Sequence, residues 1–231
     1  MFRGGVGMPD VDRSKEAFDS AVRAIVTTFG VFTGFVIKAA IDAVSFPPSE
    51  TWRDTLDRLQ ELWNDHHLFL CLATVALLLR FIIGSAVHLN LCYVVEPRSK
   101  MPVMLFKDVA FLIVFGLLAV FMVKAGKEVA SFALRAAVFI AVGLLWSAVD
   151  ALVRRGRTAG EKSLFSCKWM LIDVLQLAVI GFVIFGLGSE WWQAAVLAGG
   201  FAGALYLDML VVLKARKAEP EAAARHGTAK R

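Results

Sequence analysis

The sequence predicts an all-α polytopic membrane protein with six transmembrane helices. Of its 231 residues, 58% are hydrophobic and only 19% are charged, and the mean hydropathy of +0.66 lies above that of soluble domains. The charged residues gather at the edges of apolar runs long enough to cross a bilayer core of about 30 Å. Disordered, collagen-like and disulfide-stapled chains show neither property, so these classes are excluded.

Six apolar runs bounded by charged residues mark the predicted spans. They cover residues 20–46, 68–95, 101–125, 129–153, 164–188 and 191–213. The first run is the weakest, because Lys38 and Asp42 must snorkel or lie between helices, and five spans are the alternative. The spans form a membrane domain over residues 20–213, between an N-terminal segment, 1–19, and a basic tail, 214–231.

The longest connection, residues 49–67, carries an amphipathic pattern. Trp52, Leu56 and Trp63 recur at helical spacing among charged neighbours, after two prolines that stop the first span. We expect an amphipathic helix at about 49–64 on the membrane surface. A lid over a pore mouth is the alternative.

Lysine and arginine are distributed unequally between the two sides. The N-terminal segment, the connections around Arg98 and Arg157 and the tail are basic, whereas residues 49–67 carry five carboxylates against two arginines. Because positive connections stay cytoplasmic, we expect a multi-pass protein of the inner membrane lipid bilayer with both termini cytoplasmic. This asymmetry explains the net charge of +5, so no nucleic-acid partner is predicted, whereas the basic connections offer a docking place for a cytoplasmic protein partner.

Short matches between spans indicate three repeated helical hairpins. The third and fifth spans share D-V-x-x-L-x-V-[F/I]-G, beginning at Asp108 and at Asp173. The second and fourth spans end in Ser-Ala-Val-His88 and Ser-Ala-Val-Asp150, and Asp208 lies near the end of the sixth. Matches this short in apolar sequence also arise by chance, so duplication and coincidence both stay open.

The repeat places several polar residues at a similar depth, one or two turns inside the cytoplasmic boundary. These residues are Asp19, His88, Asp108, Asp150, Asp173 and Asp208. An ionised carboxylate at this depth is costly unless it is paired or hydrated, so we expect the side chains to face inward. Asp19 and Asp150 each have an arginine four positions on, and simple helix-end ion pairs are the alternative for them.

Arg80 is the deepest charge in the sequence. Twelve uncharged residues, 68–79, precede it, which is about 18 Å of helix and places the guanidinium near the bilayer middle. We therefore expect a partner carboxylate or a water-filled cavity. Gly84 and His88 follow at four-residue steps and predict a polar seam, Arg80–Gly84–His88. A buried Arg–Asp staple is the alternative to an anion site or an ion path.

Two small-residue motifs predict close helix packing. They are Gly30-x-x-x-Gly34 in the first span and Gly199-x-x-x-Gly203 in the sixth. Such motifs let helix backbones approach closely, within or between protomers. We expect a homo-oligomer.

The sequence carries no recognisable catalytic, metal or cofactor motif. The connection at residues 156–163 lacks the glycine spacing of a phosphate loop, and the adjacent His66 and His67 lack a spaced acidic or cysteine partner. The motifs of membrane hydrolases, metalloproteases and thiol oxidoreductases do not occur. No metal, cofactor or enzyme activity is predicted, although a lipid-modifying enzyme with an inward His–Asp pair is a third hypothesis.

The leading functional hypothesis is an oligomeric channel or transporter for an ion or small polar solute, with an acidic vestibule on the cytoplasmic side. Asp108, Asp173 and Asp208 would attract cations or accept protons in a ring of carboxylates, and Arg80 with His88 would form a switchable inner pair. The alternative is a non-conducting membrane scaffold or assembly subunit whose buried charges hold helices together and whose basic connections dock a partner.

Overall fold

The computed structural model describes residues 10–43, 66–89, 93, 101–124, 128–154, 163–186 and 188–228. Within these residues the chain forms α1 (Asp10–Ala43), α2 (His66–Leu89), α3 (Met101–Val123), α4 (Val129–Arg154), α5 (Ser163–Gly186) and α6 (Glu190–Thr228). All six helices are long and apolar enough to cross a membrane, including α1 over Ser20–Asp42. The prediction of an all-helical chain is confirmed, and six spans are favoured over five.

Two helices are longer than the predicted spans. α1 begins at Asp10, inside the predicted N-terminal segment, and α6 runs to Thr228, inside the predicted tail. Alanine, lysine and glutamate are common in the α6 extension, 214–228, and favour helix even where the sequence is polar, whereas residues 10–19 hold one of each. The amphipathic helix expected at about 49–64 lies outside the described residues.

Local signals explain where several helices begin and end. Pro102 lies in the first turn of α3, where its missing N–H costs no intrahelical hydrogen bond. Gly186 ends α5. α6 begins after Ser189, whose carbonyl accepts a 3.0 Å hydrogen bond from the Gln193 N–H, and Glu190 places a negative charge at the positive end of the helix dipole.

The six helices form a closed circle. Helices adjacent in sequence pack together in the pairs α1–α2, α3–α4, α4–α5 and α5–α6, and contacts also join α1 to α3 and α2 to α6. Smaller contacts join α2 to α3 and α4 to α6. The order around the circle is therefore α1, α2, α6, α5, α4, α3. The most extensive contact, between α2 and α6, joins helices far apart in the sequence. Because α4 and α5 are also adjacent in sequence and pack extensively, the contacts do not divide the helices into three hairpins, and the repeated hairpins stay a prediction.

Contacts between helix termini identify the two ends of the bundle. His66 Nε2 at the start of α2 lies 3.7 Å from Glu190 Oε2 at the start of α6. At the other end, Lys107 Nζ near the start of α3 lies 3.5 Å from Asp150 Oδ1 near the end of α4. α2 runs from the first of these ends to the second. We name the two ends of the bundle the His66 end and the His88 end, after residues near the two ends of α2.

Aromatic side chains fill the middle of the bundle. Phe81 packs against Phe115, Phe139 and Trp146, with ring centroids 3.9, 5.3 and 6.1 Å apart. The outward surface is also apolar, and Phe185 is 90% exposed. A bundle with apolar side chains both inside and outside suits lipid rather than water, so the six helices indicate an integral membrane protein.

The predicted packing glycines meet no neighbouring helix among the residues that the structure describes. A Cβ built on Gly30, Gly34, Gly199 or Gly203 meets no described heavy atom within 4 Å. Contact between protomers through these faces stays a prediction. Close packing within the protomer instead involves Gly200, where an added Cβ would lie 3.0 Å from Val179 Cγ1 of α5.

Adjacent glycines of α6 therefore provide a matched test of this packing. Gly200→Val is expected to lower the free energy of unfolding by about 1–3 kcal/mol, because the added atoms meet α5. Gly199→Val places the same side chain in open space and is expected to change it by no more than about 0.5 kcal/mol. Thermal unfolding in detergent compares the two variants, and equal losses would contradict the α5–α6 contact. If Gly199 lies between protomers, its variant also lowers the oligomeric fraction.

The charge distribution predicts that the His88 end faces the cytoplasm. On a background lacking the three native cysteines, a cysteine placed at Thr55 is expected to react with an impermeant thiol reagent added outside intact cells. A cysteine at Arg157 is expected to react only after permeabilisation. The reverse pattern would invert the orientation.

Candidate functional site

Arg80 is held by side chains from two other helices. Its Nε donates a 2.6 Å hydrogen bond to Asp208 Oδ2 of α6. Its Nη1 donates 2.6 Å hydrogen bonds to Asp173 Oδ1 and Gln176 Oε1 of α5. The prediction that Arg80 turns away from lipid toward a carboxylate is confirmed, since the residue is 8% exposed. These four residues are named the Arg80 cluster.

The Arg80 cluster is not balanced in charge or in hydrogen bonds. Its single guanidinium faces two carboxylates, so the cluster carries one net negative charge when both are ionised. Asp208 Oδ1 and Gln176 Nε2 are buried and have no hydrogen-bond partner among the described residues. A buried charge that is not compensated, or a buried polar atom without a hydrogen-bond partner, is unfavourable unless water, a proton or an ion reaches it.

A second cluster surrounds Asp108 near the His88 end. The Tyr93 hydroxyl donates to Asp108 Oδ2, and Trp146 Nε1 donates a 2.8 Å hydrogen bond to Oδ1. Lys107 Nζ lies 2.9 Å from Oδ1, and His88 Nε2 lies 3.4 Å from Oδ2. These residues, together with Asp150, are named the Asp108 cluster. Donors therefore surround both oxygens of Asp108, which is 1% exposed.

Lys107 joins the two carboxylates of the Asp108 cluster. Its Nζ lies between Asp108 Oδ1 and Asp150 Oδ1, at 2.9 and 3.5 Å. Asp150 is therefore paired across helices. The side chains of Arg154 and Asp19 are not among those that the structure describes. The alternative pairing of Asp150 with Arg154 therefore stays a prediction.

The carboxylates of the predicted ring fall into two pairs, and their role in a transport path stays a prediction. Asp173 and Asp208 share Arg80, whereas Asp108 and Asp150 share Lys107. Each pair therefore has its own cation. The predicted partnership of Arg80 with His88 also differs from the structure, because His88 approaches Asp108 and lies eight residues from Arg80, about 12 Å along α2.

A cavity of about 70 Å³ lies between the two clusters. Its polar lining comes from α2, α4, α5 and α6, and consists of Arg80, Ser85, His88, Ser147, Asp150, Asp173 and Asp208. Aromatic side chains, including Phe81, Phe139 and Trp169, form much of the remaining wall. A space of this size accommodates several water molecules.

The predicted polar seam on α2 lines this cavity. Arg80, Gly84 and His88 all contribute to its wall, so the seam is confirmed. Gly84 leaves room for the indole of Trp169, whose Cη2 would lie 3.5 Å from an added Cβ. The hydroxyl of Ser85, one residue on, is buried without a hydrogen-bond partner among the described residues.

Sequence analysis missed several members of the two clusters. Gln176 lies three residues after Asp173 and so shares its helix face, a signal that helical spacing contains. Lys107 is one of the basic residues that predict the cytoplasmic side, and this explanation of its charge gives no reason to expect a contact with Asp108. Tyr93 and Trp146 are ordinary residues near the ends of apolar spans, and no sequence signal separates them from lipid-facing aromatics.

Comparison with known proteins found no matching family model, no matching curated protein and no matching solved structure. In the part of the chain that the structure describes, no group of three His, Cys, Asp or Glu side chains is placed to hold a metal ion. The function must therefore be argued from the two clusters and the cavity.

Proposed function

We propose that the protein carries an ion or small polar solute across the membrane through the cavity between the Arg80 and Asp108 clusters. The observation that carries this proposal is the cavity itself, because it lies inside a closed circle of apolar helices and is lined by charged residues from four of them. Ionisable residues within a membrane bundle are costly, and a transport path is a common reason for their presence.

The charge balance supports a path for positively charged species. The two clusters contain four carboxylates, Asp108, Asp150, Asp173 and Asp208, against the fixed cations Arg80 and Lys107. With neutral His88, the net charge is two negative. A negative interior attracts cations and repels anions.

The proposal includes an acidic vestibule on the cytoplasmic side of the inner membrane and a homo-oligomeric assembly. The unequal distribution of lysine and arginine supports the orientation. The outward glycine pairs of α1 and α6, Gly30 with Gly34 and Gly199 with Gly203, support contact between copies, because they allow two backbones to approach closely.

Flux into liposomes tests the proposal. Purified protein is reconstituted and assayed for H⁺, K⁺, Na⁺ and small anions against empty liposomes. Ser85→Leu fills the cavity and is expected to lower the flux of the carried species by about tenfold or more. Ala141→Leu, at an exposed position of α4 away from the glycine pairs, is the control and leaves flux unchanged. Equal flux through Ser85→Leu and through the control variant would show that transport does not use the cavity.

The alternative is the non-conducting scaffold or assembly subunit. The Asp108 cluster favours it, because a carboxylate whose two oxygens both receive donors resembles a structural staple. In this function the basic connections would dock a cytoplasmic protein. A flat result for every ion in the flux assay would support the scaffold.

His88 is expected to make any flux sensitive to pH. Its imidazole lines the cavity and lies beside Asp108, with Lys107 and Asp150 in the same cluster. Protonation adds a positive charge at this position, so acidification on the His88 side between about pH 7.5 and 5.5 is expected to lower cation flux. At a fixed driving force, His88→Gln is expected to remove much of this dependence. If the curves of flux against pH for the wild type and His88→Gln stay parallel, His88 contributes only to packing.

A further inference from the structure

We propose that the carried ion is a proton and that Asp208 is the carboxyl that binds it. This inference deepens the proposed function, since its transport step rests on the same cavity. Arginine side chains are charged in proteins, and Arg80 faces two carboxylates. One proton added to this cluster makes it neutral.

The hydrogen bonds of Asp208 leave one oxygen available. Oδ2 accepts the hydrogen bond from Arg80 Nε. Oδ1 is buried and has no hydrogen-bond partner among the residues that the structure describes, although Asp208 lines the cavity and is only 2% exposed. Protonation at Oδ1 converts an acceptor without a donor into a hydroxyl that can donate to cavity water.

Ser85 gives independent support for water at this site. Its residue is 4% exposed, its hydroxyl has no partner within the described ranges, and it lines the same cavity as Asp208. A buried hydroxyl of this kind is satisfied by water in most proteins. The cavity has room for several water molecules, which would form a hydrogen-bonded route between Asp208 and the Asp108 cluster.

The transfer step balances in atoms and charge. A hydronium ion in the cavity loses a proton to Asp208 Oδ1, an O–H bond forms, and a water molecule remains. Release reverses the step when water reaches Asp208. The other ionisable groups facing this space are Arg80 and His88 of α2, Asp173 of α5 and Asp150 of α4. Lys107 of α3 lies against Asp150.

The cavity suits a proton better than a metal cation or an organic solute. A bare alkali cation needs a shell of oxygen ligands, whereas Phe81, Phe115, Phe139 and Trp146 form much of this wall. A volume of about 70 Å³ holds water but no organic solute of ordinary size. A proton needs only one carboxyl oxygen and adjoining water.

Infrared difference spectroscopy tests the binding site without requiring transport. A protonated carboxyl gives a C=O stretching band that a carboxylate lacks. In reconstituted protein titrated between about pH 8 and 6, where exposed carboxyls stay ionised, the wild type is expected to gain this band on acidification. Asp208→Asn is expected to remove it, because the amide still accepts from Arg80 but cannot take the proton. Asp150→Asn, on the same cavity, is the matched control and keeps the band. Its absence in the wild type, or its survival in Asp208→Asn, would overturn the assignment.

Proton flux tests the transport step. With a pH gradient and the membrane potential clamped, the wild type is expected to carry H⁺ and not K⁺ or Na⁺, and Asp208→Asn to lower H⁺ flux by about tenfold or more. Flux of K⁺ or Na⁺ without H⁺ would overturn the proton while the proposed transport function stands. The infrared band together with no flux of any ion would keep Asp208 as a proton-binding site and overturn transport.

Discussion

Replacing Arg80 by leucine is expected to abolish flux and to lower the free energy of unfolding by about 3–5 kcal/mol, because removing one partner of a buried ion pair leaves the other uncompensated. Two carboxylates, Asp173 and Asp208, lose their cation in this variant. Chemical unfolding in detergent measures stability, and flux is normalised to folded protein.

A triple variant separates function from stability. Arg80→Leu combined with Asp173→Asn and Asp208→Asn removes every charge of the Arg80 cluster, and is expected to recover most of the lost stability, because neutral replacements for a buried ion pair are often well tolerated. Its flux is expected to stay absent. Full flux in the triple variant would show that Arg80 and its partners hold the helices together and have no part in transport.

Arg135 provides the matched control. It lies in α4 toward the His66 end. Its Nη1 donates a 2.7 Å hydrogen bond to the Phe121 carbonyl, and its guanidinium lies 4.3 Å from the Phe121 ring centroid. Arg135→Leu is expected to cost no more than about 1 kcal/mol and to leave flux unchanged. A loss as large as that of Arg80→Leu would mean that any arginine of this bundle has the same effect.

The second large effect is expected at Asp108. Asp108→Asn is predicted to lower the free energy of unfolding by about 3 kcal/mol, because Tyr93, Trp146 and Lys107 then face an amide that satisfies fewer donors and carries no charge. Asp42→Asn removes a carboxylate from an exposed pair with Lys38 and is expected to change stability by no more than about 0.5 kcal/mol.

A double-mutant cycle identifies the contact responsible. Tyr93→Phe removes the hydroxyl that donates to Asp108, so Tyr93→Phe and Asp108→Asn are expected to be non-additive by about 1 kcal/mol or more. Additive losses would show that the Tyr93 hydroxyl contributes little to holding Asp108. Flux through the Asp108→Asn protein that remains folded then shows whether this cluster acts beyond stability.

The sequence was sufficient to predict the helices and a buried carboxylate partner for Arg80, but not which aspartates are the partners. Span length depends on bilayer thickness, so runs of apolar residues predict six helices directly. The position of Arg80 within its run likewise predicts a buried partner. Which aspartates serve as partners depends on the order of helices around the circle, and helical periodicity contains no information about that order.

Lys107 shows the same limit at a single residue. Its position at the start of α3 is typical of a positive residue beside the membrane boundary. In the structure its Nζ instead lies between Asp108 and Asp150, because the end of α4 packs beside it. A charge count over connections cannot distinguish a residue that faces lipid headgroups from one that turns into the bundle.

The long-range pairing of Arg80 has a consequence for synthesis of the chain. Its partners Asp173 and Asp208 lie 93 and 128 residues further on, which at about 5–20 residues per second is a delay of roughly 5 to 25 seconds. During that time α2 must keep an unpaired guanidinium in or beside the bilayer. The high mean hydropathy of α2, 2.3 over its most apolar stretch of 18 residues, offsets the insertion cost of about 3 kcal/mol for one arginine. A nascent chain halted before α5 would hold Arg80 without its carboxylates, so the Arg80 cluster is complete only when α6 arrives.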